Sequence, residues 1–278
     1  MTLLIIGATG QQGGAVCKAA LAAAWPVRAL VRDPDQSQAR VLAERGVELV
    51  SGDLDRPDSL AAAFRGATQV FSMQALDPGH AARETARGIA AADAAAHADV
   101  AHFVYSAALW TDRPSGVPHF ESKRRVRQHI AELGLPATVL EPGSFMENLL
   151  HPQTVGGVRK GRLVTPFDPD LKLPMLAVTD IGPAVLWCLQ RPELSIGRAF
   201  SLYGERSSSR QHAAAIAAWL ARPIGCARLH PWLTRIFLGR DLACMFKFLN
   251  ADRDVPAPAL PIAFTGFSDW LQQHRFAK

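Results

Sequence analysis

Four apolar residues, Leu3-Leu4-Ile5-Ile6, run without a break into Gly7-Ala8-Thr9-Gly10-Gln11-Gln12-Gly13. No other stretch limits the fold as much. An apolar strand that meets three glycines at this spacing and then opens an Ala-rich helix is the start of a βαβ unit. Gly7 permits the tight turn, Gly10 lets backbone approach a pyrophosphate, and Gly13 lets the helix pack closely on the strand. The first helical N–H groups and the positive end of the helix dipole then face the phosphates. Thr9, Gln11 and Gln12 complete the cradle. The expected ligand is a dinucleotide.

Strand–helix alternation continues down the chain. Apolar runs at 27–31, 47–50, 69–73, 102–106 and 137–140 read as strands, separated by helical stretches at 11–24, 35–45, 58–64, 81–97 and 120–133. The runs are continuous rather than alternating, so both faces of the sheet are expected to be covered. This predicts an α/β fold, a Rossmann-type parallel sheet with helices on both faces. After about residue 150 the pattern loosens: Gly156-Gly157, Pro166, Pro169 and Pro174 mark loop-rich chain. Helices at 180–189 (capped by Thr179 or Asp180) and at 209–220, and a strand at 199–203, are still expected. The expected division is a nucleotide-binding domain over 1–152, to which about 177–203 return, and a smaller substrate or partner lobe of 153–176 and 204–278. In that lobe, 231–249 is dense in large apolar side chains, among them Trp232, Ile236, Met245, Phe246 and Phe248. It reads as a pocket wall, as core or as a dimer contact, and a homodimer stays open.

The cofactor choice turns on the end of the second strand, Val31-Arg32-Asp33-Pro34. An acid there would bond the ribose 2′-hydroxyl of NAD(H). Arg32 stands at that place, and a guanidinium suits a 2′-phosphate. NADP(H) is expected, while Asp33, one residue on, keeps NAD(H) open. Gly52-Asp53-Leu54 falls where a loop would cover the adenine. Asp53 either accepts from the adenine amino group or caps the helix that follows.

Composition excludes several classes. The 278 residues are 49% hydrophobic and 20% charged, ordinary for a globular chain that needs no staples. Cys17, Cys188, Cys226 and Cys244 form no C-x-x-C pair and no zinc spacing, so reduced thiols and no metal are expected. Residues 1–150 carry 14 Lys and Arg against 16 Asp and Glu, whereas 151–278 carry 16 against 9. The basic half is a solvated face, or an attraction for an anionic substrate or partner. With no nucleic-acid motif and two Tyr, direct nucleic-acid binding is not expected. No run reaches the ~18 apolar residues of a membrane span, and Ile6 meets Gly7 too soon for a secretory leader. A cytoplasmic protein with no membrane association is expected.

With these residues together, the chain resembles the NmrA-like family, atypical relatives of the short-chain dehydrogenases/reductases. The resemblance is carried by the Gly7–Gly13 loop, Val31–Pro34, Gly52–Leu54, Phe120-Glu121-Ser122-Lys123, Glu141-Pro142-Gly143-Ser144-Phe145-Met146-Glu147-Asn148 and Val178-Thr179-Asp180-Ile181-Gly182. It implies the Rossmann fold and a nicotinamide cofactor. The family holds NADPH-dependent reductases of quinones and other conjugated or cationic acceptors, and also redox sensors that bind dinucleotide with little catalysis. By the same resemblance Met73 and Gln74 lie where a loop passes the cofactor ribose, and Phe145 and Met146 line the acceptor pocket. Glu141 departs from the family motif, where Arg is expected.

Ordinary short-chain dehydrogenases place a Tyr and a Lys four residues apart on one helix face. The Lys holds the nicotinamide ribose and eases proton donation by the Tyr. Here Lys123 is in place, but His119 occupies the Tyr position. Lys123 reads as a ribose ligand or a solvated helix Lys; His119 reads as a replacement acid or a surface His after Pro118. Two functions follow: an NADPH-dependent reductase of a small apolar or quinone-like acceptor, or a non-catalytic NADP(H) sensor that signals to a protein partner.

Overall fold

The computed structural model describes residues 2–251 and 254–277. In chain order the elements open with β1 (Leu3–Ile6), α1 (Gln11–Ala22), β2 (Val27–Val31), α2 (Ser37–Glu44), β3 (Glu48–Ser51), α3 (Ala61–Phe64), β4 (Gln69–Met73), α4 (Ala81–His97), β5 (His102–Ser106), α5 (Pro118–Glu132) and β6 (Ala137–Pro142). They continue through β7 (Ser144–Phe145), α6 (Pro152–Arg159), β8 (Arg162–Thr165), β9 (Lys172–Leu176), α7 (Ile181–Gln190), α8 (Pro192–Ser195) and β10 (Ala199–Leu202). The rest is β11 (Glu205–Ser208), α9 (Ser209–Leu220), β12 (Gly225–Arg228), α10 (Pro231–Leu249) and α11 (Phe267–Gln273). Contacts group these into two compact units, one up to Glu141 together with Val178–Phe200, the other of Pro142–Ala177 and Ser201 onward.

The first unit is built on a seven-stranded sheet in the order β10-β6-β5-β4-β1-β2-β3. Its β1–β2, β1–β4, β2–β3, β4–β5 and β5–β6 pairs are parallel, as the expected Rossmann-type fold requires. The strand order reverses between β1 and β4, and in open α/β sheets ligands bind outside the strands' C-terminal ends at such a switch point. Leu3–Ile6 and His102–Ser106 are buried at every position, which explains their continuous apolar runs. Small residues let α4 sit close: Gly88, Ala90, Ala91, Ala92 and Ala95 are its buried positions toward the C-terminal end.

The second unit carries a three-stranded sheet, β11-β9-β7, and a two-stranded one, β12-β8. Its core gathers Met146, Leu163, Met175, Ile216, Phe267 and Trp270. Trp270 is fully buried and its indole N–H donates to Glu147 Oε1 at 3.0 Å.

Several sequence expectations need correction. The loop-rich reading of 153–176 misses α6, β8 and β9. Gly156-Gly157 lies inside α6, and Pro174 lies inside β9, which pairs with β11 and β7. Packing overrides weak local propensity there. The helix expected over 58–64 splits into a 3-10 turn at Pro57–Ser59 and the short α3. Asp180 takes the N-cap position of α7, one of the two expected, but its side chain makes no capping hydrogen bond there: the chain enters α7 through a 3-10 turn, Val178–Asp180, with Asp180 itself in helical conformation. The 231–249 segment is a helix interrupted at Gly239, with Trp232 and Ile236 exposed and Phe246 edge-on to Phe167 at 5.2 Å. It is therefore not a simple core element. Cys17 and Cys188 are buried thiols, pushed up to about 12 by burial.

Candidate active site

The glycine loop forms a tight turn between β1 and α1. Gly7 sits at φ +77, a conformation that L side chains rarely adopt, and its carbonyl accepts from Gly10 N–H at 2.9 Å. A Cβ on Gly13 would overlap the Gly7 carbonyl, whereas one on Gly10 would meet only that oxygen, at 3.3 Å. Gly13 is thus the packing glycine, and Gly10 stands exposed with Thr9 and Gln11 at the mouth. No side chain caps α1, and no acid lies in its first turn. The leading N–H groups and the helix dipole are left for an anion, so the cradle fits a dinucleotide pyrophosphate. Met73, at the end of β4, lies over Gly7: a Cβ there would come within 2.8 Å of its sulfur. Gln12 accepts at Oε1 from the Ser106 hydroxyl at 2.7 Å.

At the end of β2, Arg32 is exposed and, among the described residues, has no ion-pair partner; its charge helps hold Asp55 below the usual carboxylate range, where the Arg87 hydrogen bond acts first. Asp33 is committed to a local turn, its Oδ1 accepting from Asp35 N–H at 2.9 Å. Asp53 likewise accepts from Asp55 N–H at 3.0 Å, while its own N–H donates to Ser59 Oγ at 2.8 Å. Its side chain closes a turn rather than capping a helix. Leu54 is half-buried against the core of the first unit.

The helix α5 carries His119 and Lys123 one turn apart, and both meet Glu84 of α4. His119 Nδ1 lies 3.0 Å from Glu84 Oε2, and Lys123 Nζ lies 3.4 Å from Oε1. Lys123 Nζ also donates to the Gln74 carbonyl at 3.1 Å. Glu84 and Lys123 are almost wholly buried, while the His119 side chain keeps 15% of its exposure. Burial pushes the Glu84 carboxyl up, but the His119 hydrogen bond and the Lys123 charge outweigh it and hold the group below its ordinary value. Burial lowers Lys123, with Glu84 opposing. Tyr105, on β5, does not stand in for the missing phenol. Its hydroxyl is buried without a hydrogen-bond partner among the described residues, and burial together with Glu84 raises it well above its ordinary value.

Lys123 is not the solvated helix Lys that one reading allowed. Glu141 is buried at the end of β6, where Arg127 donates to it at 2.5 Å. Glu121 tethers the loop before α5, accepting from Ser115 Oγ at 2.9 Å and Gly116 N–H at 3.2 Å. Phe145 and Met146 belong to the second unit, Phe145 half-buried and Met146 enclosed in that unit's core. Sequence reasoning missed Glu84. A signal was available: it lies on the small-residue stripe of Gly88, Ala91 and Ala95, so it is a charge on the face that must be buried. Among the described residues no cluster of His, Cys, Asp and Glu could hold a metal ion, and no helix is long and apolar enough to cross a membrane.

The family model for the NmrA-like family matches residues 1–231. The chain belongs to the NmrA-like family. Among its relatives, the NAD(P)H azoreductase of Xenophilus azovorans is 32% identical over 224 residues, 80% of this chain and 75% of that protein. The photosystem II assembly factor Ycf39 of Trieres chinensis is 29% identical, and the match spans 65% of its length, slightly less than two thirds. Among solved structures, Citrobacter sp. triphenylmethane reductase complexed with NADP(H) superposes with a TM-score of 0.86 over 98% of this chain and 99% of that one, at 18% identity. The negative transcriptional regulator NmrA in complex with NADP superposes with a TM-score of 0.75 over 98% and 90%, at 25% identity. Its complex with NAD gives 0.70 over 83% and 74%, at 28% identity.

Proposed function

We propose that this NmrA-like chain is an NADPH-dependent reductase of a small apolar acceptor, quinone-like or otherwise conjugated. The observation that carries the reading is the buried Glu84–His119–Lys123 cluster, in the same unit as the uncapped glycine cradle. Burying an ammonium and a carboxylate is costly unless they are paired, and here the same carboxylate also holds the imidazole at the place of the usual proton donor. Bound NADPH supplies a hydride. Gly7, Thr9, Gly10, Gln11, Gln12 and Gly13 hold the pyrophosphate, Arg32 the 2′-phosphate, Asp53 and Leu54 border the adenine, and Met73 flanks the ribose. The remaining Lys123 protons serve the nicotinamide ribose, and His119 exchanges a proton with the acceptor. Commitment of Asp33 to its own turn supports NADP(H) over NAD(H). The protein is expected to act in the cytoplasm on a small molecule. The test is NADPH oxidation, followed by absorbance, against a panel of quinones, azo compounds and cationic dyes. Tight NADPH binding with no turnover on any of them would overturn the reading.

One observation favours a second reading, an NADP(H) sensor that signals to a protein partner: position 119 holds no Tyr, and Tyr105 is sealed. Binding without turnover is its signature.

A further inference from the structure

We propose that Glu84 is the positioning residue of this site, holding the His119 imidazole in one tautomer so that Nε2 is the nitrogen that exchanges protons with the acceptor. Its kinetic limb rests on the reductase reading above; its spectroscopic limb does not.

The geometry is specific. Glu84 stands in the first turn of α4 and reaches two residues of α5 with its two oxygens, Oε2 toward His119 Nδ1 at 3.0 Å and Oε1 toward Lys123 Nζ at 3.4 Å. A carboxylate held ionised by these partners only accepts hydrogen bonds, so Nδ1 must carry a proton. In the neutral ring Nε2 is then the bare nitrogen, and in the protonated ring it is the free donor. Free imidazole side chains favour the opposite neutral tautomer, with hydrogen on Nε2. The Glu84 bond reverses that preference and fixes the ring plane. Lys123 plays a part in the arrangement, since its ammonium and its bond to the Gln74 carbonyl hold the carboxylate in place.

The proton balance is simple for a quinone. Bound NADPH would supply the hydride, leaving an oxyanion on the acceptor. The Nε2–H of protonated His119 passes its proton to that oxygen, leaving the neutral ring with Nδ1–H still on Glu84. Water then returns a proton to Nε2. A cationic triarylmethane dye takes hydride at carbon and becomes neutral, and so needs no proton. The two acceptor classes therefore separate the role of His119 from cofactor binding.

The experiment has two limbs. Long-range ¹H–¹⁵N spectra of the cofactor-free protein, at a pH where His119 is neutral, should show the Nδ1–H tautomer in the wild type and a mixture or its reverse in Glu84→Gln. In turnover, Glu84→Gln and His119→Gln should each lower kcat for a quinone at least about tenfold more than kcat for a cationic dye, and His119→Gln should do so with KM for NADPH little changed; a general acid contributes ~10²–10⁴-fold. Adding Glu84→Gln to His119→Gln should widen that ratio no further. An Nε2–H wild type, or equal losses on both acceptors, overturns the proposal. If Glu84→Gln does not fold, the wild-type tautomer and the His119→Gln ratio still decide it. Absence of turnover by the wild type on every acceptor would sink the reductase reading, while the spectra would still decide what Glu84 does to His119.

Discussion

The hydroxyl of Ser106 at the end of β5 donates to the side-chain oxygen of Gln12 in the first turn of α1, at 2.7 Å. Ninety-four residues separate the two in sequence, so the bond ties the phosphate cradle to the strand that precedes the His119–Lys123 segment. A single such bond is worth ~0.5–1.5 kcal/mol net. Ser106→Ala should therefore weaken dinucleotide binding by roughly two- to tenfold, with little change in melting temperature. Fluorescence titration beside thermal unfolding reads both; unchanged affinity would show that the bond does not organise the cradle.

Exposed Gly10 and buried Gly13 should separate binding from folding. Gly10→Val adds its side chain at the mouth of the cradle, where only the Gly7 carbonyl lies near, and should abolish NADPH binding in a folded protein. Gly13→Ala puts a Cβ into the Gly7 backbone and should cost stability, ~1–3 kcal/mol by analogy with other overpacked sites. Normal NADPH titration by Gly10→Val would place the nucleotide elsewhere.

Arg32→Ala should weaken NADPH and spare NADH. A guanidinium–phosphate bond contributes ~1.5–3 kcal/mol, roughly ten- to a hundredfold. Because Asp33 serves its own turn, Asp33→Ala should change neither affinity greatly. Isothermal titration with both cofactors decides it, and equal wild-type affinities would defeat the idea.

Acid should loosen the segment before α5. Burial pushes the Glu121 carboxyl up, but hydrogen bonds from Ser115, Arg124 and Gly116 prevail and set it at about 2, against an ordinary 4.5. The folded value is depressed, so the stabilisation is complete above about 4.5 and is lost as pH falls toward 2. The protection factors of the Ser115 and Gly116 amides, referred to the intrinsic exchange rate at each pH, should fall across that window, and Glu121→Gln should remove that fall. Wild-type protection that stays constant with pH would contradict this.

Much of this was legible in the sequence, for physical reasons that differ by region. Continuous apolar strands such as Leu3–Ile6 and the Ala-rich helices between them are strong local signals, and the parallel sheet follows from their alternation. The 142–177 region was not legible. Its strands are short, Pro174 removes a donor from β9, and Gly156-Gly157 weakens α6, so only packing around Val158, Leu163 and Met175 fixes them. At the site, the resemblance to the short-chain dehydrogenases pointed to His119 and Lys123. The carboxylate that unites them comes from another helix, and only tertiary structure brings Glu84 to within 3.0 Å of His119.

Gly182 gives the first unit a peculiarity of timing. A Cβ on this residue of α7 would meet the Ala15 carbonyl at 2.6 Å and the Ala19 methyl at 2.7 Å, so α7 seats directly on α1, behind the glycine cradle. Farther along the same returning segment, the Arg198 carbonyl accepts from Val139 N–H at 2.9 Å and brings β10 onto β6. Chains emerge from the ribosome at ~5–20 residues per second, and N-terminal domains generally fold first. Here the unit that opens the chain cannot finish early: its first helix keeps a bare flank, and its sheet an unpaired edge, until about residue 200 has been made. In the interval the growing chain exposes an apolar surface and a strand edge of the kind that invites chaperones or mispairing.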